Sequence, residues 1–175
     1  MFVLSQIIGI VAVVLFLLSF QMKQRRQIVF VTAVSNGLYV LQYALLGAFT
    51  GAILDCLSTL YSFVVGKKSA PRFGKFVNGI AVFIMLLVVS TGVSMAIIRN
   101  SWIEVIPVVG TLLQTGGLWF NREQTIRKFA LAGAPFWIVY NFISQAYGAA
   151  LGSTLSVISV VVALVRYHKA ETENT

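Results

Sequence analysis

Seven apolar segments, separated by short polar connections, constrain this chain more than any other feature of its sequence. They cover approximately residues 2–20, 28–46, 50–66, 76–95, 102–120, 128–145 and 147–166. A helix that crosses a bilayer needs about 20 mostly apolar residues. Of the 175 residues, 58% are hydrophobic and only 10% are charged, more apolar surface than a soluble domain of this size can bury. We therefore predict an all-α, polytopic membrane protein with seven transmembrane helices, the first of them a retained span and not a signal peptide.

The positions of the basic residues favour one orientation in the membrane. In a seven-span layout, Arg99 is the one lysine or arginine that falls on the side of the N-terminus, and all the others fall on the opposite side. Because cytoplasmic loops are enriched in these residues, we expect the N-terminus outside and the C-terminus in the cytoplasm. The net charge is +8, but the basic residues lie between apolar runs and form no nucleic-acid-binding motif. We therefore expect no nucleic-acid partner.

The first three and the last three segments resemble each other. An offset of 99 residues aligns Gln42 with Asn141, and after a slip of one residue Ser58 aligns with Ser156. A unit of three helices needs one extra helix before it can repeat in the same orientation, so the sequence predicts two parallel three-helix units. The predicted boundaries are 1–68 for the first unit, 69–100 for linker helix 4 and its loops, 101–169 for the second unit and 170–175 for a polar cytoplasmic tail.

Polar side chains form stripes on several of the predicted helices. Asn36, Tyr39 and Tyr43 share one face of the second helix, and Trp137 and Asn141 share one face of the sixth. Polar groups at hydrocarbon depth need partners or water, so such stripes favour a shared interior surface. The residues predicted to contact a substrate there are Asn36, Tyr39, Gln42, Tyr43, Ser58, Gln114, Trp137, Asn141 and Ser156.

Two further residues permit both a functional and a structural interpretation. Asp55 lies about one turn into the third helix, where a carboxylate serves either as a gate or proton site or as a satisfied structural group. In the repeat it falls opposite Ser153. Pro107 could act as a gate in the fifth helix or could be an ordinary proline bend.

The sequence lacks the residue sets that enzymes and metal sites require. Cys56 is the only cysteine, and the only histidine, His168, lies near the polar C-terminus. Neither a catalytic triad nor a metal-ligand cluster can be assembled from them. We therefore expect no enzymatic activity, no metal and no cofactor.

Three short stretches resemble known membrane protein families. The segment FQMKQRR at 20–26 is similar to a PQ-loop with phenylalanine at the proline position, and the 3+1+3 plan resembles SWEET, PQ-loop and PnuC-type transporters. A match over nearly the whole chain, carried by QMKQR at 21–25, NGLYVLQY at 36–43 and LG at 46–47, resembles the YgjV-type family of bacterial inner membrane proteins. This resemblance implies the fold and a bacterial inner (plasma) membrane location.

Two functions are compatible with these observations. The first is a transporter or facilitator of a small neutral polar solute, sugar-, nucleoside- or vitamin-like, that works by alternating access. The second is a non-transporting accessory protein or a protein that binds a ligand or lipid. The expected partners are the lipid bilayer, a small solute and, in a possible homo-oligomer, further copies of the chain.

Overall fold

The described part of the chain is helical, as the apolar segments predict. The computed structural model describes residues 2–68 and 74–172, with the backbone alone for 74–75 and 166–172. In these ranges it contains seven α-helices, one 3-10 helix and no strand. The helices are α1 (Phe2–Gln21), α2 (Arg25–Leu46), α3 (Phe49–Gly66), α4 (Gly74–Ile98), α5 (Ile106–Gly117), α6 (Glu123–Ile143) and α7 (Tyr147–Thr172), with the 3-10 helix at Trp102–Val105.

The fifth and sixth helices differ most from the predicted spans. Five helical segments in the described residues are long and apolar enough to cross a membrane, and they belong to α1, α2, α3, α4 and α7. The helix α5 has only 12 residues, because a 3-10 turn precedes it and a glycine pair ends it. Two basic residues in its first turns, Arg127 and Lys128, make α6 more polar.

Parts of the predicted tail and one predicted connection lie outside the described residues. The predicted tail at 170–175 begins inside α7, which continues to Thr172, and residues 173–175 lie outside the described residues. The connection at 69–73, with the predicted cytoplasmic Arg72, also lies outside them. The unit boundaries at 68, 100 and 169 stay a prediction.

Six helices form a closed ring around the centre of the bundle. The helix α2 packs between α1 and α3, and α6 packs between α5 and α7. The ring is completed by contacts of α1 with α7 and of α3 with α5, while α4 lies outside against α3 and α5. Each contact made by the first three helices thus has a counterpart among the last three. We call the end where α1, α3, α5 and α7 terminate the basic end, because it carries most of the lysines and arginines.

The turns between paired helices show the register of the repeat. The residue that ends α2, Gly47, has φ 71°, and Gln145 after α6 has φ 56°. The backbone N–H of the next residue donates to the carbonyl of Tyr43 at 3.0 Å in the first turn and of Asn141 at 2.9 Å in the second. These equivalent positions are 98 residues apart.

The offset of 99 residues predicted for the second and sixth helices is therefore wrong by one. The structural counterpart of Asn141 is Tyr43, and Gln42 corresponds to Tyr140. The helix surface turns by about 100° for each residue, so this slip changes which side chains face the centre. The predicted pairs of Ser58 with Ser156 and of Asp55 with Ser153 keep the spacing of 98 and agree with the turns.

Glycines set the closest helix approach in the second half. A Cβ atom placed on Gly133 in α6 would lie 2.7 Å from the carbonyl oxygen of Gly110 in α5. The two backbones therefore touch where these helices cross, as small residues allow in membrane proteins. Large apolar side chains such as Phe83, Ile97 and Ile158 are exposed on the outside of the bundle, where lipid would cover them.

Candidate functional site

A central cavity lies inside the ring and is divided into two adjoining chambers of about 30 Å³ each. Each chamber has room for one or two water molecules. Five residues line both chambers: Phe16, Asn36, Asp55, Gln114 and Trp137. The chamber nearer the basic end is completed by Phe20, Thr32, Ser58, Thr115, Leu118, Ile126 and Ala130, and the other by Tyr39, Tyr43, Asn141 and Ser153.

The boundary between the chambers is polar and incompletely hydrogen-bonded. Asn36 and Asp55 are buried, and neither side chain has a hydrogen-bond partner within residues 2–68 and 74–172. Gln114, which also lines the cavity, donates to the carbonyl of Ala130 at 3.3 Å, and its amide oxygen has no hydrogen bond within the described residues. A carboxylate and an amide at this depth need water or a ligand. These three residues are the strongest sign of a binding site.

A row of aromatic rings forms one wall. Tyr39 stacks on Tyr43 with ring centroids 6.1 Å apart, and Tyr43 stacks on Trp137 at 6.2 Å. Phe16 meets Tyr39 edge-on at 6.5 Å. The predicted aromatic residues thus come from both halves and make a continuous surface, on which a flat or ring-shaped solute could stack.

A hydrogen-bonded chain crosses the cavity between the two halves. The hydroxyl of Tyr43 donates to Oδ1 of Asn141 at 2.5 Å, and Nδ2 of Asn141 donates to the hydroxyl of Ser153 at 3.1 Å. Since Tyr43 and Asn141 occupy equivalent positions, their hydrogen bond crosses the axis that relates the two units. It therefore fixes the distance between α2 and α6 beside the cavity.

Removal of the Tyr43 hydroxyl tests the strength of this link. We expect Tyr43→Phe to lower the free energy of unfolding by about 1–3 kcal/mol, because the ring is kept while a buried amide oxygen loses its donor. Thermal unfolding in detergent measures the change. Tyr147→Phe is the control, since Tyr147 is exposed and no hydrogen bond of its hydroxyl is found in the described residues. Equal stability losses in both variants would contradict the predicted role.

The basic end is closed by two arginines that act reciprocally. Arg25 at the start of α2 donates to the carbonyls of Leu118 and Phe120, just after α5. Arg127 in α6 donates to the carbonyls of Phe20 and Met22, at the end of α1. These acceptors are equivalent positions in the two units, and basic side chains there complement the negative ends of the helices.

The two arginines themselves are not equivalent. Arg127 lies about one turn further into its helix than Arg25 does in α2, and its side chain is 2% exposed whereas Arg25 is half-buried. The end of α1 is therefore held by the buried guanidinium of Arg127, and the equivalent end of α5 is held by the half-buried guanidinium of Arg25. A further contact at this end joins Lys68 to the carbonyl of Trp119 at 3.2 Å.

The opposite end is closed by a different set of contacts. The backbone N–H of Gly51, in the first turn of α3, donates to the hydroxyl of Tyr140 in α6 at 3.1 Å. Nearby, Arg99 forms a salt bridge of 3.3 Å with the buried Glu104. The cavity thus lies between two hydrogen-bonded layers.

Three predicted site residues do not line either chamber. Gln42 is fully buried, but its amide lies against Gly9 and Gly148, between α1, α2 and α7. The hydroxyl of Ser156 donates to the carbonyl of Ser153 within α7. Pro107 occupies the first turn of α5 and so begins that helix without bending it. Pro107 therefore introduces no kink inside α5, and its assignment as a gate stays a prediction.

Several lining residues were missed in the sequence. Phe16, Thr32 and Thr115 lie in apolar segments and give no signal beyond their helical spacing. The hydroxyl of Thr115 donates to Ser58 at 2.9 Å, which joins α5 to α3. The sequence pattern indicates only a topology signal at Arg127, although its spacing from the apolar residues of α6 places it on the buried face. Pro135 lies inside α6.

The described residues contain no set of three His, Cys, Asp or Glu side chains close enough to hold a metal ion. The groups that line the cavity can form hydrogen bonds and stack on rings.

Comparison with known proteins gives one family. A family model described as "Imp-YgjV: Bacterial inner membrane protein" matches residues 3–171. No curated protein and no solved structure matches the chain. The match covers all seven helices and agrees with the five segments that are suited to cross a membrane. The chain therefore belongs to the Imp-YgjV family of bacterial inner membrane proteins.

Proposed function

We propose that this inner membrane protein is a transporter or facilitator of a small neutral polar solute, and that it works by alternating access between its two three-helix units. The observation that carries the proposal is the polar cavity on the axis between the units, with Asn36 from one unit and Asn141 from the other in its lining. Substrate sites of transporters with internal repeats lie at such a position, at the repeat interface. The proposed solute is sugar-, nucleoside- or vitamin-like.

The lining supports a neutral polar solute. Within the described residues no lysine or arginine side chain lines either chamber, so an anion would meet no compensating charge. Amides at Asn36, Gln114 and Asn141 can both donate and accept hydrogen bonds. In this proposal Asp55 is the gate or proton site, since its carboxylate faces both chambers and lacks a partner among the described residues.

The cavity volume supports a closed conformation. Drug-sized ligands occupy pockets of about 300–1,000 Å³, far above the chambers of about 30 Å³. Solute entry would therefore require one closing layer to open. Breaking the Arg25 contacts would open the basic end, and breaking the contact of Tyr140 with Gly51 would open the other. The proposed orientation has the basic end in the cytoplasm, in keeping with the positive-inside rule.

The second candidate is a membrane protein that binds a ligand or lipid, or serves as an accessory subunit, without transport. The small volume of the cavity favours it, because a static bundle needs no solute-sized space. In that case the polar lining would hold ordered water that satisfies Asn36 and Asp55.

Uptake into liposomes tests the proposed function. The purified protein is reconstituted and supplied with radiolabelled sugars, nucleosides and vitamins. We expect saturable uptake of at least one solute and at least a tenfold loss in the Asn36→Ala, Asn141→Ala double variant, because two hydrogen-bonding amides of the site are removed.

The matched control truncates two polar side chains away from the site. On α4, Ser90 is exposed and Thr91 is half-buried, and neither lines the cavity, so the Ser90→Ala, Thr91→Ala variant should retain wild-type uptake. Absence of flux for every solute with folded wild-type protein would overturn the transport proposal and leave the second candidate. Equal loss in both double variants would contradict the assigned site.

A further inference from the structure

A second concave site lies at the basic end, on the outside of the ring and away from the central cavity. It is a groove of about 670 Å³ between the start of α6 and the last described side chains of α7. Its walls are polar on the α6 side, with Arg122, Gln124, Thr125 and Lys128, and apolar on the α7 side, with Leu164 and Val165. The groove therefore joins a cationic surface to an apolar one.

The two cations of the groove are available to a ligand. Arg122 and Lys128 are exposed, and neither has an ion pair or a hydrogen bond through its side chain in the part of the chain that the structure describes. Three other basic residues at this end, Arg25, Lys68 and Arg127, donate to backbone carbonyls. The groove thus presents uncompensated positive charge in a concave surface.

The one acid in the groove does not cancel this charge. Glu123 also lines it, but it interacts electrostatically with Arg25 at the adjoining surface of α2. With two cations against one acid, the groove keeps a net positive charge for an anion that enters beside Arg122 and Lys128. A phosphate group is complementary to them, because arginine can bind its oxygens in a bidentate manner.

The apolar wall indicates that the anion carries hydrocarbon chains. From Val165 the outward surface of α7 continues through exposed Val162 and Ile158 toward the middle of the bundle. Acyl chains could follow this surface while the phosphate stays at the level of Arg122. Basic pockets at the cytoplasmic ends of transmembrane helices are suited to anionic lipid head groups.

We propose that this groove binds the head group of an anionic phospholipid of the surrounding membrane. The occupant is a lipid and not a soluble phosphate compound, because the cations and the apolar wall are adjacent and both face outward. The site does not depend on the proposed transport function, since it shares no residue with the central cavity.

Binding in detergent tests the proposal with three probes: dioctanoyl phosphatidylglycerol, dioctanoyl phosphatidylcholine and glycerol 3-phosphate. We expect the wild-type protein to bind the phosphatidylglycerol most tightly by microscale thermophoresis. Removal of both cations in the Arg122→Gln, Lys128→Gln variant should raise the dissociation constant by about 25-fold, or about fivefold for each cation. Gel filtration and circular dichroism confirm that each variant is folded.

The control variant removes the same charge elsewhere at the same end. Lys23 and Arg26 are exposed but lie outside the groove, so Lys23→Gln, Arg26→Gln should change the dissociation constant less than threefold. Three results would overturn the proposal: equal weakening in both variants, equal affinity for phosphatidylcholine, or equal affinity for glycerol 3-phosphate. The last would identify a soluble ligand.

Discussion

Replacement of Arg127 by glutamine is expected to lower the free energy of unfolding by about 3 kcal/mol. The guanidinium is almost fully buried and donates to the carbonyls of Phe20 and Met22 at 3.2 and 3.0 Å. A buried acceptor that loses its donor costs about 1–3 kcal/mol, and two are affected here. Glutamine carries no charge, so the variant no longer bears the cost of burying one, and this reduces the expected loss of stability. Chemical denaturation in mixed micelles measures the loss.

Two other arginines provide graded controls for this prediction. Arg26 is exposed, and Arg26→Gln should change stability by no more than about 0.5 kcal/mol. Arg25 makes the equivalent contacts but is only half-buried, so Arg25→Gln should fall between the two. A loss at Arg127 no larger than the loss at Arg26 would show that the buried contacts contribute nothing to stability.

Replacement of Gly133 by alanine should destabilise the second unit by about 2 kcal/mol. The added methyl group would lie 2.7 Å from the carbonyl oxygen of Gly110 and 3.2 Å from the backbone nitrogen of Gln114. Backbone atoms cannot rotate aside as a side chain can, so α5 and α6 would have to separate. Forced overpacking of this kind costs about 1–3 kcal/mol. Thermal unfolding monitored by circular dichroism provides the measurement.

The control for this substitution is Gly79 in α4. A Cβ atom at Gly79 would meet no heavy atom within 4 Å, so Gly79→Ala should be neutral or stabilise the protein by up to about 1 kcal/mol. The two substitutions are expected to change stability in opposite directions. This difference distinguishes the effect of crowding between helices from the effect of helix propensity. A neutral Gly133→Ala would mean that the crossing of α5 and α6 adapts without cost.

The fold was predictable because its determinants are local. Each long apolar segment forms a helix, and Gly47 ends α2 with a positive φ, a conformation that glycine adopts readily. The fifth helix was less predictable, since Pro107 is equally compatible with a kink and with a helix start. In the structure a 3-10 turn ends directly before α5, so Pro107 lies at the start of that helix.

The site was predictable only in part, because side-chain direction depends on the register of the repeat. Asp55 and Ser58 were assigned to the interior and line the cavity. Gln42 was paired with Asn141 because both are amides, although the turns give Tyr43 as the counterpart. Chemical likeness is a poor guide here, since the equivalent positions 43 and 141 carry different side chains that bond to each other.

The hydrogen bond between Tyr43 and Asn141 also determines which halves can assemble. Two copies of the first unit would set a phenol against a phenol at this position, and two copies of the second would set an amide against an amide. In neither pairing would a tyrosine donate to an amide oriented by a serine, as Ser153 orients Asn141. The two units are therefore specific partners for each other, and the linker helix guarantees one of each in every molecule.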